Sequence, residues 1–291
     1  MKSLTRIGLF IITNILVMMV LSAILAFFNI PMDQLWGFLV MCAVFGFGGS
    51  FISLFLSKFM VKKAYRVKLI DPENAQGKEL FVIQTIRNMA DHHRIKMPQV
   101  GVFPSVSLNA FATGARKNSA LVAFSDSLLY NLSEEEIAAV AGHEMAHIIE
   151  GDMVTMSLLM GLVNTFVMFL ARILAAVLDS ALKDDEGRGG LGFIGYRLVV
   201  MLLQNVLFLL AYIPVSAYSR HREYRADAGS AKLVGPAAMI SALRALEQNV
   251  RPPSPKRMAT DMAMIHNKRK VSLFATHPTI EDRVQRLQRM M

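Results

Sequence analysis

The chain has 291 residues, of which 54% are hydrophobic and only 18% charged, with a net charge of +9. This is too apolar for an ordinary soluble domain and points to a membrane protein. The basic residues cluster beside the apolar stretches with no nucleic-acid motif, which sets a nucleic-acid partner aside, and the single cysteine, Cys42, rules out an intramolecular disulfide.

A bilayer crossing needs about 20 apolar residues. The first such stretch, Ile7 to Phe28, carries no charge. It is longer than the h-region of a signal peptide and is followed at once by another, so it is expected to be a retained helix. The second, Leu35 to Ser57, follows a turn marked by Pro31 and Asp33, and the two form a predicted hairpin. Past Lys58 the chain turns polar. A helix is predicted from Pro72 to His92, with Leu80, Ile83, Ile86 and Met89 at helical spacing. Three short β-prone runs follow, Val100 to Phe103, Leu108 to Thr113 and Ser119 to Phe124, separated by Pro104 and the turn from Gly114 to Asn118. They predict a small antiparallel sheet. Ser133 with Glu136 forms a capping box that starts a helix at Glu134 and carries it through His147.

Two further apolar stretches, Met153 to Leu178 and Phe193 to Tyr218, flank the acidic, glycine-rich connection from Asp179 to Gly192. Arg172 and Arg197 lie near that connection, where long side chains snorkel to the headgroups. The fourth helix continues out of the membrane through Glu223 and Asp227. Another covers Ala237 to Gln248, a proline-rich basic loop runs from Arg251 to Ser272, and a last helix runs from Pro278 to Met290. The expected fold is a mostly α membrane protein with four transmembrane helices in two hairpins. A cytoplasmic α+β domain completes it. The expected boundaries are 1–57 and 154–218 for the hairpins and 58–153 and 219–291 for the two cytoplasmic blocks. Lys2 and Arg6, the group from Lys58 to Lys68, and Arg220, Arg222 and Arg225 flank the spans on one side, which places both termini and the polar mass in the cytoplasm.

The chemistry lies in His143-Glu144-Met145-Ala146-His147. On a helix, residues i and i+4 share a face, so the two histidines can hold one Zn²⁺ while Glu144 reaches a metal-bound water. A catalytic zinc needs a third protein ligand. Glu150 and Met153 stand where a metzincin has Gly and His, which excludes that class. Glu186 lies in the far turn and Glu150 is awkwardly close on the same helix. Glu223 has the best placement, because the second hairpin returns it to the height of His147, with Glu247 and Glu281 as fallbacks. Asp227, one turn beyond, suits the free ring N–H of a ligating histidine. The plainer alternative pairs Glu223 and Asp227 with Arg220 or Arg225 on a solvated face.

Arg222-Glu223-Tyr224-Arg225-Ala226-Asp227, Asn109-Ala110-Phe111-Ala112 and Thr276-His277-Pro278 with Arg283 complete a pattern. With the span arrangement and the zinc helix, it resembles the HtpX-type membrane metalloproteases, bacterial relatives of the CaaX prenyl protease, over essentially the whole chain. The resemblance implies a zinc endopeptidase whose cytoplasmic domain is zincin-like (gluzincin), with one Zn²⁺ per chain, in the bacterial inner membrane, acting in heat stress on damaged membrane proteins and unfolded polypeptides. Self-cleavage and cooperation with other membrane proteases belong to the same expectation. It also makes His277 a candidate donor to the oxyanion, beside a capping or core role. Asn109 to Ala112 are candidates for holding an extended substrate at a sheet edge, beside an internal-strand role, and Arg283 joins them as a candidate that pairs with an acid of the site. Two other readings compete: intramembrane cleavage of the site-two type, disfavoured by the many carboxylates on the zinc helix, and a non-catalytic zinc-stabilised scaffold or chaperone.

Overall fold

The structure is a computed structural model that describes residues 32–248 other than 185 and 187, and residues 273–291. The first apolar stretch and the proline-rich loop lie outside the described residues. Among those described, three helices are long and apolar enough to cross a membrane: α1 (Met32–Ala64), α5 (Asp152–Ala181) and α6 (Gly192–Val234). The remaining elements are β1 (Lys68–Leu69), α2 (Gly77–His92), β2 (Gln99–Phe103), β3 (Ala110–Thr113), β4 (Leu121–Ser125), α3 (Asp126–Asn131), α4 (Glu134–Glu150), α7 (Pro236–Gln248) and α8 (Ile280–Gln288). The chain divides into two compact units. One holds the described part of Met1–Phe51 with Leu158–Ala211, the other Ile52–Ser157 with Tyr212–Met291.

The first unit is a helix pairing that depends on a missing side chain. A Cβ on Gly46 would stand 2.4 Å from Oγ1 of Thr165, so only glycine lets α1 approach α5 this closely. Phe38 stacks on Phe169 with centroids 5.6 Å apart, beside buried Cys42 and Ile173. The Arg172 guanidinium sits 5.5 Å from the Phe38 ring, a cation–π contact that supports the charge within an apolar helix.

The second unit is built on a four-stranded sheet of order β1-β2-β4-β3. The sheet is mixed, which corrects the antiparallel expectation: β2 and β4 run parallel, with Gln99 opposite Leu121 and Phe103 opposite Ser125, while β1–β2 and β3–β4 are antiparallel. The cause lies in residues 104–109, which carry the chain past the place of β4 to its far side. Asn109 pairs with Ser125 through Ser125 N–H to Asn109 O at 2.8 Å, and β3 begins after it, at Ala110 rather than Leu108. Every residue of β4 is buried, as befits a central strand with a parallel neighbour. Two short elements lie outside the sequence pattern: β1 has two exposed residues, and α3 is a short helix capped by Ser125 Oγ accepting from Leu128 N–H.

The core packs Val82, Ile83 and Ile86 of α2 with Val122 and Phe124 of β4, Ile137, Met145 and Ile148 of α4, and Leu243 of α7. Helix α2 starts at Gly77 because Asp71 accepts from Glu73 N–H and Asn74 Nδ2, folding the Pro72 region into a turn instead of a helical one. Helix α4 carries the expected reciprocal cap, Glu136 N–H to Ser133 Oγ at 3.3 Å and Ser133 N–H to Glu136 Oε2 at 2.9 Å. It ends on Gly151, whose φ of 70° is the left-handed conformation that glycine adopts without cost. Helix α5 restarts at the next residue. The terminal helix starts at Ile280, capped by Thr279.

Candidate metal centre

Helices α4 and α6 cross with almost no side chain between them. Ser230 donates its hydroxyl to the Ala139 carbonyl at 2.6 Å, and a Cβ on Gly142 would lie 2.8 Å from Ser230 Oγ and 3.3 Å from its Cα. This contact brings the face of α4 bearing His143 and His147 against the face of α6 bearing Glu223 and Asp227. All four residues, and Glu144, are less than a tenth exposed.

The two imidazole Nε2 atoms are 3.2 Å apart. Oε2 of Glu223 lies 3.4 Å from Nε2 of His143, and its Oε1 lies 3.4 Å from Nε2 of His147. These three residues form the one three-member group suited to a metal among the described residues. The spacing matches the edge of a tetrahedron with bonds of about 2.0–2.1 Å, roughly 3.3 Å, as zinc makes to nitrogen and oxygen.

The opposite side of each ring fixes the protons. Nδ1 of His143 is 2.9 Å from Oδ1 of Asp227, and Nδ1 of His147 is 2.8 Å from Oδ2 of Asp152. A carboxylate only accepts, so each Nδ1 carries a hydrogen, and each Nε2, turned toward Glu223, is the nitrogen left to offer its lone pair to a proton or a metal ion. Two lone pairs at 3.2 Å, facing a carboxylate, repel unless a cation lies among them. Burial alone lowers the basicity of both rings. The hydrogen bonds to Asp227 and Glu223 outweigh it and push His143 up to about 9, and those to Asp152 and Glu223 raise His147. The donor set therefore favours positive charge at its centre, and a divalent metal fits it.

Each outer carboxylate is held in turn. Arg283 donates Nε to Oδ2 of Asp227 at 2.7 Å and Nη2 to Oδ1 at 2.6 Å, a bidentate pair. Its side chain is 1% exposed, and the surrounding Asp227, Glu223 and Glu144 raise its basicity against the effect of burial. Arg283 thus lies buried beneath the site, paired with the acid Asp227. The reason is steric and electrostatic: α8 packs the guanidinium inward, onto Asp227. Arg225 donates Nη2 to Oδ1 of Asp152 at 3.0 Å.

Asp152 and Arg225 were missed as site residues in the sequence. The available signal was Gly151: a left-handed residue ending α4 turns the chain back and brings the next side chain beneath His147. The alternative pairing of Glu223 and Asp227 with Arg220 or Arg225 is not what these arginines make. Arg225 reaches Asp152, Arg222 Nη2 lies 3.4 Å from Glu223, and Arg220 binds backbone carbonyls. The fallback ligands Glu247 and Glu281 both pair with Arg244, at 3.1 and 2.9 Å. His221 is exposed.

His277 approaches Glu223 directly, with Nδ1 3.1 Å from Oε2, at an angle that makes an ion-pair distance without a hydrogen bond. Its side chain remains 27% exposed. Ala110, Phe111 and Ala112 lie on β3, an edge of the sheet, and Asn109 precedes it. The inner side of β3 pairs with β4, the other side has no strand among the described residues, and β3 packs against α4. Phe111 stacks near Phe103 and Tyr65, with centroids 5.2 and 5.3 Å away.

Comparison with known proteins adds to this geometry. The model of Peptidase family M48 matches residues 77–291. The chain is 44% identical to Protease HtpX of Stenotrophomonas maltophilia over 287 residues, covering 98% of each. It is 45% identical to Protease HtpX of Aeromonas hydrophila, covering 97% of this chain and 99% of that one. The crystal structure of S. mikatae Ste24p is similar in fold, with a TM-score of 0.60 at 21% identity, over 96% of this chain and 66% of that one.

Proposed function

From the premise that this chain belongs to peptidase family M48 and is a multi-pass membrane metalloprotease, we propose that it is a zinc endopeptidase of the bacterial inner membrane. Its site faces the cytoplasm and cleaves damaged or misfolded membrane proteins and unfolded polypeptides, as a heat-stress response requires. The observation that carries the reading is the convergence of His143 Nε2, His147 Nε2 and Glu223 in a cage whose outer hydrogen bonds leave lone pairs directed inward. The basic residues flanking the spans support the orientation.

In this reading His143, His147 and Glu223 hold one Zn²⁺. When bound, the metal supplies a Lewis acid that makes a water acidic and polarises a carbonyl. Glu144, adjacent to His143, receives the water's proton on its carboxylate and delivers it to the leaving amine. Asp227 and Asp152 keep each ring in the tautomer that turns Nε2 inward, and Arg283 holds Asp227 in place. An extended substrate adds to the open edge of β3, its backbone matching Asn109 to Ala112, with Phe111 among them. His277, partly exposed beside Glu223, hydrogen-bonds the developing oxyanion.

The test is purification in detergent without chelator, followed by zinc addition and assay of casein cleavage and self-cleavage. Glu144→Gln is expected to retain zinc and lose at least about a hundredfold in cleavage rate, the lower range of a general acid–base contribution. Normal proteolysis by that variant would sink the mechanism.

A further inference from the structure

Helix α6 carries a carboxamide where a membrane-crossing helix has least use for one. Asn205 lies near the middle of the apolar stretch from Phe193 to Tyr218, about 18–20 Å from either end by helical rise. With a hydrocarbon core about 30 Å thick, this puts it close to the midplane. The residue is exposed, and its Nδ2 donates to the Met201 carbonyl of its own helix at 2.8 Å. A carboxamide has two N–H donors and an oxygen acceptor. The second N–H and Oδ1 of Asn205 have no partner among the described residues.

The face that holds Asn205 is turned away from α5. Tyr196 points toward α5, its hydroxyl donating to the Arg172 carbonyl at 3.3 Å, and Val200, one turn on, is buried. Asn205 follows Tyr196 by nine residues, about two and a half turns, which sets it on the opposite side of the helix. Leu198, Leu202 and Leu209 share that side and are 57%, 63% and 55% exposed. These positions advance by four, three and four residues, the alternation by which one helix presents a seam to another. The seam is apolar except at Asn205.

We propose that this seam is the contact between two copies of the chain, with Asn205 meeting Asn205 across a two-fold axis normal to the membrane. Acyl chains offer no hydrogen-bonding group and the bilayer core holds no water, so the open amide atoms are satisfied only by protein. A second copy inserted the same way carries its own Asn205 at the same depth. A helix of another protein would have to bring a polar group to that depth by its own sequence. A carboxamide is donor and acceptor in one, so two of them exchange a reciprocal pair of Nδ2–H to Oδ1 bonds, the self-complementarity that a two-fold contact requires. The pair also fixes the register, because a slip of one turn leaves both amides in lipid. The contact rests on α6 crossing the bilayer and not on peptide cleavage, so the two fail separately.

Cys42 is the only cysteine, so in a Cys42→Ser/Glu144→Gln background one introduced thiol forms a disulfide only with another chain, and self-cleavage is removed. Leu202→Cys and Leu209→Cys flank Asn205 on the seam. Leu210→Cys is the control, 57% exposed but about 140° round the helix from Asn205. Each purified full chain is reconstituted into phosphatidylethanolamine–phosphatidylglycerol vesicles, diluted stepwise with lipid and oxidised with copper phenanthroline. Covalent dimer at 202 and 209 is expected to persist through dilutions at which 210 has lost it. Adding Asn205→Leu is expected to lower dimer affinity about threefold to thirtyfold, read as the lipid dilution that halves cross-linking. Asn205→Gln is expected to restore part of the loss. Equal cross-linking at all three positions marks random collision and overturns the proposal. So does the absence of dimer at every dilution, which gives the face to lipid or to another part of the same chain. Adducts of other masses without the dimer, in the membranes of the producing cell, mark a substrate helix and overturn it too. A dimer indifferent to Asn205→Leu overturns the role of Asn205. Should that variant not fold, the cysteine series, which keeps Asn205, still decides whether the seam is an interface.

Discussion

His143 and His147 sit one turn apart on α4 and are steadied by unlike means. The partner of His143 is Asp227, 84 residues away on α6, itself clamped by Arg283 from α8, which lies 140 residues from His143. The partner of His147 is Asp152, five residues on, reached through the single left-handed turn at Gly151. The first support exists only once α4, α6 and α8 have packed together. The second needs only the end of α4 and the start of α5, with Arg225 added from α6. The distant arm therefore couples the site to global stability, while the local arm tunes the ligand alone.

The largest test of this contrast is Asp227→Asn. It leaves the buried Arg283 guanidinium without its counter-charge and is expected to cost about 3–5 kcal/mol, read from denaturant unfolding in detergent, together with the zinc. A loss below about 1 kcal/mol would show that water or another carboxylate takes over and that the arm is not a structural clamp. Asp152→Asn comes next. Its expected effect is about a 10–100-fold weaker zinc affinity in chelator competition, the usual cost of losing a carboxylate behind a ligating histidine, with a smaller change in unfolding because Arg225 is a third exposed. Equal destabilisation by the two asparagine variants would erase the distinction. The smallest effect belongs to Gly151→Ala, which forces a Cβ into the left-handed region at about 1–2 kcal/mol and displaces Asp152. Gly151→Asn, which adopts that conformation more readily, should recover part of the loss. An alanine variant with normal zinc affinity would mean that the turn does not aim Asp152.

The same contrast explains how far the site was legible in the sequence. The zinc helix declares itself locally, through a capping box and two histidines at i and i+4, and the structure has that helix to its last turn. Glu223 could be picked only by following a hairpin out and back. Asp227 came from spacing, whereas Arg283 could be expected only to pair with some acid of the site and not with Asp227 in particular, because a pairing over 56 residues leaves no periodic trace. Asp152 escaped for a different reason. Attention to helical spacing favours i+3 and i+4, and an i+5 partner becomes a neighbour only when a left-handed residue intervenes. The sheet shows the limit for the fold: β-propensity marked β2, β3 and β4 but carries no information on which strand lies between which. The parallel pairing of β2 and β4 depends on the path of residues 104–109.

The crossing of α4 and α6 has a consequence for ion selectivity. With Gly142 against Ser230 and Gly229 against Ala146, where a Cβ on Gly229 would come within 2.9 Å, the gap between the histidine pair and Glu223 is gauged by the thickness of two backbones. A backbone gauge has little give. A single methyl group at residue 142, 2.8 Å from Ser230 Oγ, would wedge the two helices apart, move the histidine pair away from Glu223 and so change the size of ion the three side chains could hold.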